Sequence, residues 1–257
     1  EKVTRILTLM MRLHMIGGKE QTARKSGVYN APKHRQTALD TARESIVLLK
    51  NDKDKNKDKP ILPLDEKSLK KVLLVGENAQ RLHADGGGSA EIKALYEIST
   101  LMGLKMLLGG NVKVDFVKGY QSGTKSAKDS VNWQEKSLED GGGHGSKQQD
   151  ENQQLAKERA ALRKEAVEMA KAYETGIYVG GLPHDYDSEG LDRSDMALPY
   201  GQDLLIQELL EVKPDLVVVL IGGSPVEMGA WIDRARAVVW CYYAGMQGGT
   251  ALAEVNL

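Results

Sequence analysis

Asp215-Leu216-Val217-Val218-Val219-Leu220-Ile221-Gly222-Gly223 is the stretch on which the fold turns. A continuous run of Val, Leu and Ile, closed by two glycines, has the pattern of a strand buried on both faces, as in a parallel sheet. Upstream, Gln202 to Val212 has helical spacing and Gly176 to Gly180 reads as another strand. Downstream, the pattern predicts a short helix over Pro225 to Ile232, a strand over Ala235 to Trp240 and a helix from Thr250 onward. Strand and helix alternate, so the expected class is α/β, with a parallel sheet covered on both faces.

The N-terminal half is less regular. Val3 to Leu13 has helical spacing and a basic face. Arg35 to Leu49 is expected to be helical, because Ala38, Ala42, Ile46 and Leu49 recur at 4-4-3 spacing. Lys50 to Lys59 mixes lysines with aspartates and reads as a solvated loop, whereas Lys71 to Gly76 and Val112 to Val117 read as strands. Gln121 to Gln153 is polar and Gly-rich, a long loop for a compact domain. A helix with Leu155, Leu162, Ala166, Met169, Ala170 and Tyr173 on one face follows it.

Composition removes several function classes. Lys plus Arg total 35 against 36 for Asp plus Glu, interspersed, so no electrostatic footprint points to nucleic acid or an anionic membrane. No apolar run reaches the 18 or so residues of a membrane span. The single cysteine, Cys241, forms no internal disulfide and, in an apolar run, reads as a buried spectator thiol. The five histidines have no metal-ligand spacing, so no metal or cofactor is expected. There is no GxxxxGK[ST], and Gly86-Gly87-Gly88-Ser89-Ala90 lacks the GxGxxG spacing of a dinucleotide site. Nor is there a GxSxG elbow.

One loop carries candidate chemistry. Asp187-Ser188-Glu189-Gly190-Leu191-Asp192-Arg193 follows the strand-like run Gly176 to Gly180 and sets a carboxylate beside glycine. Such a group suits general acid/base work, and glycoside hydrolysis needs two carboxyls of which this could be one. A guanidinium on Glu189 would lower its pKa, so Arg193 is expected to pair with Asp192 and brace the loop. Taken alone, Ser-Glu-Gly fits an ordinary surface ion pair equally well.

The order of several segments narrows this. Ala42 to Asn51, Leu62-Pro63-Leu64, Val75-Gly76-Glu77-Asn78-Ala79 and Gly86 to Ala90 are followed by Ser188 to Arg193, Leu198-Pro199 with Gln202, Gly223 to Met228 and Gly245 to Gly249. In this order they resemble the C-terminal sandwich domain of glycoside hydrolase family 3, most similarly of β-glucosidases with a long insertion before the acid/base loop. The likeness covers roughly residues 30 to 255. The sequence departs from the usual pattern at Pro183, Cys241 and Met246-Gln247.

The resemblance implies a three-layer α/β/α sandwich with a six-stranded, mostly parallel sheet over 35–257, with the long polar insertion at 121–153. It implies that residues 1–34 are the exit helix and linker from an N-terminal TIM-like barrel that carries the nucleophile. Glu189 would be the general acid/base of a retaining, exo-acting β-glucosidase. His184, Asp185, Tyr186, Asp192 and Arg193 would bind substrate or brace the loop, and Trp133 could stack on a sugar. The implied partner is a β-glucoside or oligosaccharide, and relatives favour an extracytoplasmic, periplasmic or secreted location. The chain alone is expected to be inactive. A noncatalytic carbohydrate- or ligand-binding α/β module is the alternative.

Overall fold

The computed structural model describes residues 1–17, 27–53, 59–123, 145–184, 186 and 193–256, the side chains of 145–153 excepted. They form two compact units, Glu1–Arg35 and Gln36–Leu257. In the first, helix α1 (Lys2–Arg12) has an Arg5–Glu1 ion pair and no buried residue.

The second unit is built on a six-stranded sheet in the order β1-β6-β5-β4-β2-β3. Its strands are β1 (Val47–Asn51), β2 (Lys71–Val75), β3 (Lys113–Val117), β4 (Thr175–Gly181), β5 (Val217–Ile221) and β6 (Ala237–Cys241). All neighbours pair in parallel except β1, which runs antiparallel to β6. Alternate side chains supply two cores. Leu73, Val75, Tyr178, Val218, Leu220 and Val238 face α4 (Gly145–Ala170) and α5 (Gln202–Val212), through Ala166, Ala170, Leu205, Ile206 and Leu209. Val72, Leu74, Ile177, Val179, Val217, Val219 and Val239 face α3 (Thr100–Leu108) and α6 (Gly248–Asn256), through Leu104, Leu108, Leu252 and Ala253. This is the three-layer α/β/α sandwich, and burial on both faces explains why the central strands have no polar alternation.

Four local expectations are corrected. Helix α2 (Pro32–Ser45) does not reach Leu49, because the Ser45 hydroxyl donates to the Ala42 carbonyl (2.8 Å) and Val47–Asn51 leaves to pair with β6 as the edge strand. Lys50 and Asn51 therefore belong to a strand, not a loop; the Asn51 amide brackets Leu62, donating to its carbonyl (2.8 Å) and accepting from its N–H (3.0 Å). Residues 145–153 of the expected loop are the first turns of α4. Pro225 to Ile232 forms turns rather than a helix, the bonds from Trp231 N–H and Ile232 N–H both ending on the Met228 carbonyl. Helix α3 has no counterpart among the sequence expectations. Ser99 caps it by accepting from the Met102 N–H (3.3 Å), and Gly103 lets it cross α6 closely, since a Cβ there would overlap the Gly249 carbonyl.

Candidate functional site

The strand order places a natural crevice. From β2 the chain passes through α3 to β3 on one side; from β4 it passes through α5 to β5 on the other. Loops leaving β2 and β4 therefore diverge over opposite faces of the sheet, the place where open α/β sheets receive ligands. Both exits need glycine. Gly76 (φ +116°) and Gly181 (φ +120°) have left-handed backbones, and a Cβ would overlap the carbonyls of Val179 and Ile221 respectively.

Three aromatic rings gather over this crevice. His83, after β2, meets His184, after β4, edge-on at 5.5 Å between centroids. Tyr243, after β6, lies 4.6 Å from His184 and 6.0 Å from His83, and its hydroxyl donates to the Leu182 carbonyl (3.0 Å). The glycine-rich segment packs on this group: a Cβ at Gly87 would lie 3.5 Å from His184, and one at Gly86 would lie 3.6 Å from Tyr243. Asp85 ties the segment together, accepting from the N–H groups of Gly87 (2.8 Å) and Ile92 (3.2 Å). Those bonds, that to Gly87 first, hold its carboxyl below the usual range. His83 retains some residue surface, yet both ring nitrogens are buried, with no hydrogen-bond partner among the described residues. Burial, reinforced by the charges of His184 and Arg81, pushes its pKa down to about 3, so it is a neutral packing group near pH 7.

The Glu189-bearing loop has two described ends. On the outgoing side Leu182 N–H donates to the Ile221 carbonyl (2.7 Å), Tyr186 N–H donates to the Pro183 carbonyl (2.8 Å), and the Tyr186 ring meets Tyr200 at 5.9 Å. Gln202, fully buried, lies beside this exit. Its Oε1 accepts from the Tyr178 hydroxyl (2.7 Å) and the Gly181 N–H (2.8 Å), and its Nε2 donates to the Gly181 carbonyl (2.8 Å). On the returning side Arg193 donates to the Pro225 carbonyl, and Glu227 N–H donates to the Met196 carbonyl (2.7 Å). Asp203 accepts from Leu198 N–H (3.0 Å) and from Trp231 Nε1 (2.7 Å). Burial raises the Asp203 pKa despite those two bonds, with Glu227 adding to the rise.

Of the residues singled out in the sequence, His184 and Tyr186 thus lie at one end of the loop and Arg193 at the other. Arg193 reaches Pro225, a partner not expected from its neighbours in sequence. Asp185, Glu189, Asp192 and Trp133 lie outside the described residues. Sequence reasoning missed Gln202, Asp203, His83 and Tyr243 as site residues. Of these only Gln202 was noticed, as part of the ordered family segments, and without a role. Cys241 is buried in β6, and burial pushes its thiol up to about 12, which leaves no thiolate for chemistry. Among the described residues no group of three or more His, Cys, Asp or Glu is arranged to hold a metal, and no helix is long and apolar enough to cross a membrane.

Known proteins place this arrangement. Residues 46–255 match the model of the glycosyl hydrolase family 3 C-terminal domain. The chain is 35% identical over 257 residues to the β-glucosidase BoGH3A of Bacteroides ovatus, covering 99% of this chain and 30% of that protein. It is 30% identical over 235 residues to the thermostable β-glucosidase B of Acetivibrio thermocellus, covering 91% and 26%. The chain therefore spans less than a third of these relatives' length. Among solved structures, a family 3 β-glucosidase of Bifidobacterium adolescentis aligns with TM-score 0.65 at 28% identity, over 91% of this chain and 28% of that one. DesR, a β-glucosidase from Streptomyces venezuelae, aligns with TM-score 0.75 at 20% identity, over 97% and 40%, a likeness of fold.

Proposed function

Because this chain belongs to glycosyl hydrolase family 3, as its C-terminal domain, we propose that it is the acid/base-bearing part of a retaining, exo-acting β-glycosidase, a β-glucosidase acting on terminal β-linked glucosyl residues. The observation that carries the reading is the Ser188-Glu189-Gly190-Leu191-Asp192-Arg193 sequence in a family 3 chain, set between described ends at His184, which follows β4, and Arg193, which is tied to Pro225. Glu189 protonates the glycosidic oxygen as the bond to the leaving group breaks. It then takes a proton from the water that cleaves the glycosyl-enzyme ester.

The nucleophilic carboxylate belongs to another part of the longer protein, an N-terminal barrel to which residues 1–34 provide the exit helix and linker. In a retaining enzyme the two carboxyls stand about 5–5.5 Å apart, so Glu189 works at the boundary between domains. Arg193, tied to the Pro225 carbonyl, braces the returning end of the loop. Asp185 and Asp192 flank the acid within the loop, and His184 and Tyr186 hold its outgoing end or contact sugar.

Leaving-group dependence tests this. In the full-length protein, Glu189→Gln lowers kcat/KM for phenyl β-glucoside by roughly 10²–10⁴, the usual worth of a general acid, and spares dinitrophenyl β-glucoside, whose leaving group needs no proton. Equal losses on both substrates would remove Glu189 from the role.

A further inference from the structure

We propose that the first turn of α5 is the positioning device of the acid/base loop, with Gln202 fastening its outgoing end at Gly181 and Asp203 its returning end at Leu198. This rests on the reading of Glu189 as the acid/base. The two adjacent side chains divide the task. Gln202 uses both amide atoms on the backbone of Gly181, the residue at which β4 leaves the sheet, eight positions before Glu189. Asp203 takes the N–H of Leu198, nine positions after it.

Burial shows that these are not incidental contacts. Gln202 and Tyr178 have no exposed surface, and a buried amide or hydroxyl is tolerated only when its hydrogen bonds are made. Every heavy polar atom of the Gln202 side chain is used, and the Tyr178 hydroxyl rises from the sheet to complete the set. Gly180 leaves the room for it, since a Cβ there would overlap both the Tyr178 hydroxyl and Gln202 Oε1. Asp203 is held in turn by Trp231 Nε1, on the segment between β5 and β6. One helix turn thus fixes the direction in which the chain departs and the point to which it returns. A displacement of about 1 Å in a catalytic group can cost on the order of 100-fold, so such a brace bears on rate as well as on folding.

The test compares Gln202→Met, Asp203→Asn and Tyr178→Phe with Glu189→Gln in the full-length protein. Asp203→Asn would turn an amide toward the Leu198 N–H while keeping an acceptor for Trp231. Gln202→Met would leave the Gly181 backbone unpaired, whereas Tyr178→Phe removes one bond from the clamp. In folded Gln202→Met and Asp203→Asn, kcat/KM for phenyl β-glucoside falls ~10–100-fold more than for dinitrophenyl β-glucoside, with a smaller fall in the same sense for Tyr178→Phe. In the unmutated protein, the amides of Gly181 and Leu198 are protected from hydrogen exchange, and Asp203→Asn releases that of Leu198. Equal losses on both substrates, no loss in folded variants, or unprotected amides would each overturn the device. If Glu189→Gln shows the leaving-group dependence and the α5 variants do not, positioning fails alone. If Glu189→Gln lacks it, the assignment of the acid fails first.

Discussion

Replacing His83 by Phe should change how this domain responds to acid. The histidine is neutral in the fold because its ring nitrogens are buried, with its pKa depressed to about 3, whereas in the unfolded chain it titrates near 6.5. A depressed histidine pKa means that the unfolded state binds the extra proton first. Stability therefore holds above pH 6.5 and is lost as pH falls from there towards 3. The slope for one proton is about 1.4 kcal/mol per pH unit, so moving from pH 6.5 to 5 costs roughly 2 kcal/mol through this residue. Phenylalanine keeps a ring against His184 and Tyr243 without titrating. Urea denaturation of both proteins at pH 7 and pH 5 isolates the effect, because other ionisable groups contribute nearly equally to both. Wild type should lose ~2 kcal/mol more than His83→Phe over that span. Parallel losses would refute the argument and show that His83 takes up a proton in the fold.

Two further outcomes follow from the geometry. Gly103→Ala sets a Cβ into the Gly249 carbonyl at the α3–α6 crossing, so it should destabilise by about 2–4 kcal/mol and lower Tm by several degrees, read by thermal denaturation; an unchanged Tm would mean the helices separate freely. On the proposed division of the carboxyl pair between domains, the 257-residue chain should hydrolyse phenyl β-glucoside no faster than buffer; turnover by this chain that Glu189→Gln abolishes would contradict that division.

How much of this was legible in the sequence depended on the kind of burial involved. Val72 to Val75, Ile177 to Val179 and Val217 to Ile221 are covered on both faces, so their runs of apolar residues mark them as strands. Val47 to Leu49 is an edge strand whose apolar positions also satisfy a helical period. Only its pairing with β6, distant in sequence, decides between the two. Helix α3 was hidden because Gly103 lowers helix propensity at its middle; the glycine is needed for the α6 crossing, which no local pattern displays. The family was legible because each of its motifs is short and local and their order survives along the chain; Glu189 entered as the acid/base candidate of one such motif. The roles of the supports around the loop were not readable: Gln202 and Asp203 resemble any polar start of a helix until the fold sets them against Gly181 and Leu198.

Azide offers the most direct test of Glu189 as the acid/base. The measurement is the turnover and product stereochemistry of full-length Glu189→Gly on dinitrophenyl β-glucoside with added azide. An enzyme lacking only its acid/base still forms the glycosyl-enzyme ester, and azide attacks that ester without needing a general base. The account predicts accelerated turnover and a β-glucosyl azide as product. An α-glucosyl azide would make Glu189 the nucleophile, and no acceleration by azide would leave it outside the reaction.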